Sequence, residues 1–138
     1  MITNPKPLSL NPHTTPIEVV LFDLGGVLIE LGGMGELAVF SNESDEDEIW
    51  RRWLSCPWVR RYERGQCESQ AFAAGMVETW TMPVAPEVFL AAFASWPKGL
   101  LPGAKELVRS TRARTRVAAL SNTNALHTER FHDDFRFH

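Results

Sequence analysis

Val19-Val20-Leu21-Phe22-Asp23-Leu24-Gly25-Gly26 is the stretch on which the fold turns: an apolar run, half of it β-branched, stops at an aspartate and is followed by two glycines. A short continuous apolar run bounded by turn residues reads as a strand buried on both faces, the pattern of a parallel sheet. Arg116-Val117-Ala118-Ala119-Leu120 stops at Ser121-Asn122-Thr123-Asn124, a cluster of turn and helix-capping residues, and reads as a sister strand. Before it, Pro102-Gly103 opens a helix that carries Leu107 and Val108 as an apolar patch and ends in the basic run 109–116. Helix then strand is half a βαβ unit. The expected class is therefore α/β, with an incomplete Rossmann-like parallel-sheet core of about two strands.

Residues 32–97 hold all five tryptophans and almost no strand-like alternation, so they are expected to form an all-helical insert. Ser44-Asp45-Glu46-Asp47 fits a capping box, followed by Ile49, Trp50, Trp53 and Leu54 on one face as far as Pro57. A shorter helix from Trp58 stops at Gly65, and Ser69 is placed to cap a helix bearing Phe72, Ala73, Met76, Val77 and Trp80. Pro86 suits a first helical turn, with Phe89, Leu90, Phe93 and Trp96 behind it. The expected organisation is a flexible arm at 1–17, a core from 18–31 and 98–138, and the helical insert at 32–97.

Composition narrows the function classes. The 138 residues carry a net charge of −3, too balanced for the basic surface that non-specific nucleic-acid binding needs, so no nucleic-acid partner is expected. No apolar run is long enough for a membrane span or a signal peptide, and the expectation is a protein with no membrane partner. Cys56 and Cys67 lie outside any C-x-x-C spacing and suit reduced thiols, which points to the cytoplasm.

In open α/β sheets ligands bind beyond the carboxyl ends of the strands, where Asp23 and Ser121 sit. A carboxylate there is placed to attack phosphorus, dividing one hard displacement into two easier ones. Gly25 and Gly26 allow a sharp turn that brings backbone N–H groups against a phosphate, and Ser121 and Asn122 add polar contacts at the start of a helix expected near Asn124.

Phe22-Asp23-Leu24-Gly25-Gly26-Val27-Leu28 and Leu120-Ser121-Asn122-Thr123-Asn124-Ala125-Leu126-His127 resemble the first and second motifs of haloacid dehalogenase (HAD) superfamily hydrolases. Tyr62-Glu63-Arg64-Gly65 and Leu101-Pro102-Gly103-Ala104 are similar too, and the resemblance is closest to bacterial phosphatases with a helical cap after the first motif, including those acting on glucose 1-phosphate. It implies Asp23 as nucleophile, Ser121 as phosphate-binding hydroxyl, a Mg2+ cofactor held by Asp23 and the Gly25 carbonyl, the insert as cap, and a small phosphorylated metabolite, a sugar phosphate, as substrate.

Two departures stand out. The family's phosphatases usually place a second aspartate two residues after the nucleophile as general acid and base, where this chain has Gly25. The third and fourth motifs, a basic residue and an acidic pair, would lie beyond Ser121; Asp133-Asp134 comes too soon after it to be that pair, because a βαβ unit takes roughly thirty residues. The expectation is a C-terminally truncated chain, nearly inactive as it stands and with uncovered sheet edges. Two other readings stay open: a phosphate-binding or regulatory module without catalysis, and a dehalogenase, which also uses an aspartate nucleophile.

Several patterns have plainer explanations. Gly33-Met34-Gly35-Glu36-Leu37-Ala38 fits G-x-G-x-x-A, yet the second strand of a dinucleotide fold is missing after it. His127, His132 and His138 read as surface histidines, Arg60, Arg61 and Arg64 as a solvated helix face, and Trp50, Trp53, Trp80 and Phe93 as core of the insert.

Overall fold

A computed structural model describes residues 16–133. Most of the expected N-terminal arm, His138 and the second acid of Asp133-Asp134 lie outside the described residues. The elements run β1 (Val19–Phe22), β2 (Ile29–Leu31), α1 (Met34–Ser41), α2 (Glu46–Ser55), α3 (Pro57–Glu63), α4 (Ser69–Thr79), α5 (Pro86–Ala94), β3 (Pro97–Leu100), α6 (Ala104–Arg112), β4 (Arg116–Ala119) and α7 (Ala125–Asp133).

β1 and β4 pair in parallel, Val19 opposite Arg116 through Phe22 opposite Ala119. The pairing continues one step beyond β4, where the Leu120 N–H donates to the Phe22 carbonyl at 2.9 Å. At the other end the Thr115 hydroxyl donates to the Glu18 carbonyl at 2.8 Å. The strands stand where their apolar runs predict, but the expectation of burial on both faces is corrected. Val20 and Phe22 are half-buried, whereas Leu21 is 59% and Leu120 is 70% exposed. Among the described residues, only one face of the pair is covered.

A second sheet escaped the sequence reading. β2 and β3 pair antiparallel, Ile29 opposite Leu100 and Glu30 opposite Gly99, with a bulge before Leu31 meets Pro97. Gly99 adopts φ +153° there, and the Gly32 N–H donates to the Trp96 carbonyl at 2.8 Å. These strands close the two ends of the helical insert onto each other.

Hydrophobic burial falls into two clusters. The larger joins helices α1–α5 through Leu37, Ile49, Tyr62, Phe72, Met76, Phe89, Phe93 and Trp96, and the smaller joins Leu28, Ile29, Ala104 and Phe131. The larger is an aromatic stack: Tyr62 lies parallel to Phe72 at 4.4 Å between ring centroids, and Phe72 and Phe93 are 5.0 Å apart. Aromatic pairs at these separations add about 0.5–1.5 kcal/mol each beyond area burial. Trp80 and Phe93 are buried core as expected, whereas Trp50 is 43% and Leu54 is 64% exposed, so the apolar face of α2 is narrower than its sequence suggests.

Helix ends refine the sequence reading. Asp45, not Ser44, caps α2, its carboxylate accepting from the Asp47 and Glu48 N–H groups. Ser69 does not cap α4; it is the helix's first residue, and its hydroxyl meets the Tyr62 phenol at 2.7 Å. Pro86 opens α5 as predicted. No helix of the described residues is long and apolar enough to cross a membrane.

Gly33 is the tightest point of the frame. It precedes α1 with φ +109°, and a Cβ there would lie 2.2 Å from the ring of Trp96, which is 5% exposed. The dinucleotide reading of this glycine fails because helices α1 and α2 follow it without a strand. Gly33→Ala is expected to lower stability by about 2–4 kcal/mol, combining backbone strain with overpacking of a buried ring. Urea unfolding monitored by tryptophan fluorescence measures it, against a Gly35→Ala control that meets nothing within 4 Å.

Candidate active site

β1 delivers Asp23 to the carboxyl edge of the parallel pair, one step past Phe22, and β4 delivers Ser121 one step past Leu120. Asp23 is exposed, and its carboxylate accepts the Leu24 N–H at 2.7 Å. The chain then folds on the Leu24 carbonyl, which accepts from the N–H groups of Val27, Leu28 and Ile29 at 3.2, 2.9 and 2.8 Å. Gly26 turns the loop at φ +74°, a conformation that favours glycine. Its N–H donates to the Ile29 carbonyl at 2.8 Å, so the expectation that both glycine amides reach a phosphate is corrected at Gly26. The Gly25 N–H and carbonyl make no hydrogen bond among the described residues.

Two cavities open beyond these strand ends. One, of about 410 Å³, is walled on the loop side by Gly25, Gly26, Asn122 and Asn124 and on the insert side by Met34, Trp50, Trp53, Tyr62 and Trp96. The other, of about 590 Å³, brings Ser121, Asn122 and Thr123 against Arg60, Arg64, Leu54 and Trp53. Asn122, Trp53, Val59 and Glu63 line both. Of the expected site residues, Gly25, Gly26 and Asn122 share the first cavity, Ser121 and Asn122 share the second, and Asp23 walls neither.

The arginines divide. Arg60 and Arg64 line the cavity that holds Ser121, with the Arg60 guanidinium donating to the Leu54 carbonyl at 3.1 Å, while Arg61 lies over the Trp58 ring at 5.2 Å. Glu63, the last residue of α3, is the one carboxylate lining either cavity, and burial pushes its carboxyl above the ordinary 4.5. The Trp96 indole N–H, in the wall of the first cavity, is buried without an acceptor among the described residues. Sequence reasoning missed Glu63 and Trp96 as cavity residues. The signal was partly there, since Glu63 stands in the Tyr62-Glu63-Arg64-Gly65 segment.

No group of three or more His, Cys, Asp or Glu side chains placed to hold a metal occurs among the described residues. The available donors at the strand end are the Asp23 carboxylate and the Gly25 carbonyl, both hard oxygens of the kind magnesium prefers.

The fold has close counterparts among solved structures. HAD family enzyme BT-2542 from Bacteroides thetaiotaomicron, in complex with magnesium and inorganic phosphate, matches 87% of this chain with a TM-score of 0.64 at 25% identity. The chain has a HAD-like fold. Another structure of that enzyme matches 88% of the chain with a TM-score of 0.64 at 24% identity. The chain spans 60% of the length of the first and 61% of the second. No family model matches the sequence, and comparison with curated proteins returns no match.

In this HAD-like chain, α7 begins right after Ser121-Asn122-Thr123-Asn124 and grips the insert. Asn124 caps the helix, its side-chain carbonyl accepting the His127 N–H at 3.1 Å. His127, expected at the surface, is 8% exposed; its ring stacks on Phe93 at 4.4 Å between centroids. Its Nε2 lies 2.8 Å from the Phe93 carbonyl, which accepts only, so Nε2 carries the proton and Nδ1 accepts from the Asn124 amide at 3.2 Å. Arg130 reaches the Ala94 carbonyl, so two side chains of α7 meet the last turn of α5.

Burial pushes the His127 imidazole below its ordinary 6.5; the bond to the Phe93 carbonyl opposes that shift and the Arg130 charge assists it. A base whose folded value is depressed contributes stability that is present above its unfolded value and is lost as pH falls through the folded value. Thermal unfolding is therefore expected to move to lower temperature as pH drops from about 7.5 to about 5. The same scan on His127→Gln is expected to be flatter, and parallel curves for the two proteins would contradict the assignment.

Proposed function

We propose that the protein carrying this chain works as a HAD-type phosphohydrolase on a small phosphorylated metabolite, with Asp23 as nucleophile and a sugar phosphate as the first substrate class to test. The observation that carries the reading is the convergence of Asp23 and Ser121 at the carboxyl ends of two hydrogen-bonded parallel strands, beside cavities roofed by the helical insert. Residues 18–31 and 98–138 serve as the core in this reading, and 32–97 serve as the cap.

Asp23 attacks phosphorus to give an aspartyl-phosphate, and water then releases inorganic phosphate and restores the carboxylate. Ser121, Asn122 and the Gly25 N–H are the donors for the phosphoryl oxygens, while Gly26 shapes the turn and Arg60 and Arg64 add positive charge from the insert. The oxygen donors of Asp23 and Gly25 would hold magnesium, and the ion, when bound, would neutralise phosphoryl charge. The magnesium and phosphate found with BT-2542 support this choice of ligands. Trp50, Trp53 and Met34 would contact the part of the substrate that remains after phosphate leaves.

One observation favours a second reading, in which phosphate is bound and not hydrolysed. Position 25 carries no acid, and general acid–base catalysis is worth about 10²–10⁴ in rate.

The test is phosphate release from a panel of sugar phosphates and an aryl phosphate, with and without magnesium, on this chain and on the chain extended in its reading frame. Magnesium-dependent release is expected from the extended form, with Asp23→Asn lowering it by on the order of 10⁴, a loss of roughly 5.5 kcal/mol in transition-state stabilisation. An Asp23→Asn protein that still turns over sinks the phosphatase reading. Calorimetric binding of inorganic phosphate without turnover favours the second.

A further inference from the structure

We propose that Glu63, at the end of α3, is the general acid–base residue of this site, delivering from the helical insert the proton that position 25 lacks. This rests on the phosphomonoester reading above.

Geometry carries the argument in three steps. First, position 25 carries no acid, and the space beside it is taken by Leu31: a Cβ on Gly25 would lie 2.4 Å from Leu31 Cδ1. Second, Glu63 is the single carboxylate in the walls of either cavity, where it shares one lining with Gly25 and Asn122 and the other with Ser121 and Asn122. It thus shares a cavity with each of the three proposed phosphate donors. Third, α3 ends at Glu63 and the chain turns at Gly65 with φ +65°, its N–H bonded to the Tyr62 carbonyl at 3.0 Å. Tyr62 is locked by its stack on Phe72 and its bond to Ser69, so Glu63 projects from a fixed helix end.

The charged and titratable groups that line these cavities with Glu63 are Arg60 and Arg64 on its own turn and Tyr62 and His127 in the first cavity. Glu63 is an exposed residue whose carboxyl is partly desolvated at the cavity wall, and that partial burial raises it above its ordinary value, the direction a proton donor near neutral pH requires.

Asp23 displaces the ester oxygen from phosphorus as the Glu63 proton passes to that oxygen, giving an alcohol, the aspartyl-phosphate and a Glu63 carboxylate. The carboxylate then takes a proton from the water that attacks phosphorus, which releases inorganic phosphate and regenerates Asp23 and protonated Glu63. Atoms and charge balance over the cycle, and no further reactant is needed.

The leaving group decides the matter, because an alkoxide needs the proton far more than an acidic phenol does. The experiment compares kcat/KM, which reports steps through departure of the leaving group, for an alkyl and a nitrophenyl phosphate across pH, in wild type, Asp23→Asn, Glu63→Gln and Glu63→Asp. For Glu63→Gln the alkyl-to-aryl ratio of kcat/KM is expected to fall by roughly 10² or more, with loss of the alkaline limb of the alkyl profile. Glu63→Asp, which keeps a shorter acid, is expected to restore that limb with a smaller fall in the ratio. An unchanged ratio in Glu63→Gln, whether through equal loss on both substrates or no loss, overturns the proposal while an inactive Asp23→Asn leaves the phosphatase reading standing. A wild type without turnover on either substrate both as this chain and extended in its reading frame, or an active Asp23→Asn, overturns the phosphatase reading and this proposal with it.

Discussion

The parallel pairing of β1 with β4 is the constraint on which the rest depends, because it hydrogen-bonds the first strand of the described chain to the last. Val19–Phe22 and Arg116–Ala119 run side by side in strict register, and the next residues of each strand leave the sheet at the same edge. Parallel strands cannot be joined by a tight turn and need a long crossover. Here the crossover contains a helical insert with its own aromatic core, so the connection that the sheet requires also supplies a roof over its carboxyl edge. Loop 24–29, the cavities and the grip of α7 on α5 all take their positions from that pairing.

The loop after β1 spends its polar groups economically. The Leu24 carbonyl gathers three N–H groups, which frees the chain to turn within a few residues and to present the Gly25 backbone outward. Leu31, coming back along β2, then occupies the space beside Gly25. A glycine at this point is thus matched to a leucine six residues later, and the two together determine which chemistry the strand end itself holds and which has to come from the insert.

Local patterns were legible in the sequence where the physics is local. The apolar runs of β1 and β4, the start of α5 at Pro86 and the helix following Ser121-Asn122-Thr123-Asn124 are each written in a few adjacent residues. β2 and β3 were not, because three or four residues such as Ile29–Leu31 and Pro97–Leu100 carry little periodicity, and their pairing depends on what lies between them. The shift of the α2 cap from Ser44 to Asp45 turns on which of two adjacent side chains has the extended backbone that aims it at Asp47 and Glu48. His127 read as surface because imidazole is amphipathic, and only the arrival of Phe93 from another helix turns it into an interior group. For the site, the residue types at the strand ends were legible. The consumption of the Gly26 N–H and the approach of Glu63 from α3 were not, since both are products of tertiary closure.

The small β2–β3 sheet also bears on how quickly the chain finds its fold. Thr115 and Glu18 meet across 97 positions, and closing a free loop of that length costs about 4 kcal/mol in chain entropy, a term that grows only with the logarithm of length. Helices α1–α5 each pack on the next helix in the chain and so close shorter loops. Once they have packed and Ile29 is zipped to Leu100, the ends of the insert are already together. The slack between β1 and β4 then shrinks to roughly twenty residues, which lowers the remaining entropic barrier by about 1.4 kcal/mol. A ribbon of seven residues thereby makes the insert a folding scaffold for the sheet that carries it, and a contact across 97 positions becomes a short-range one at the moment it forms.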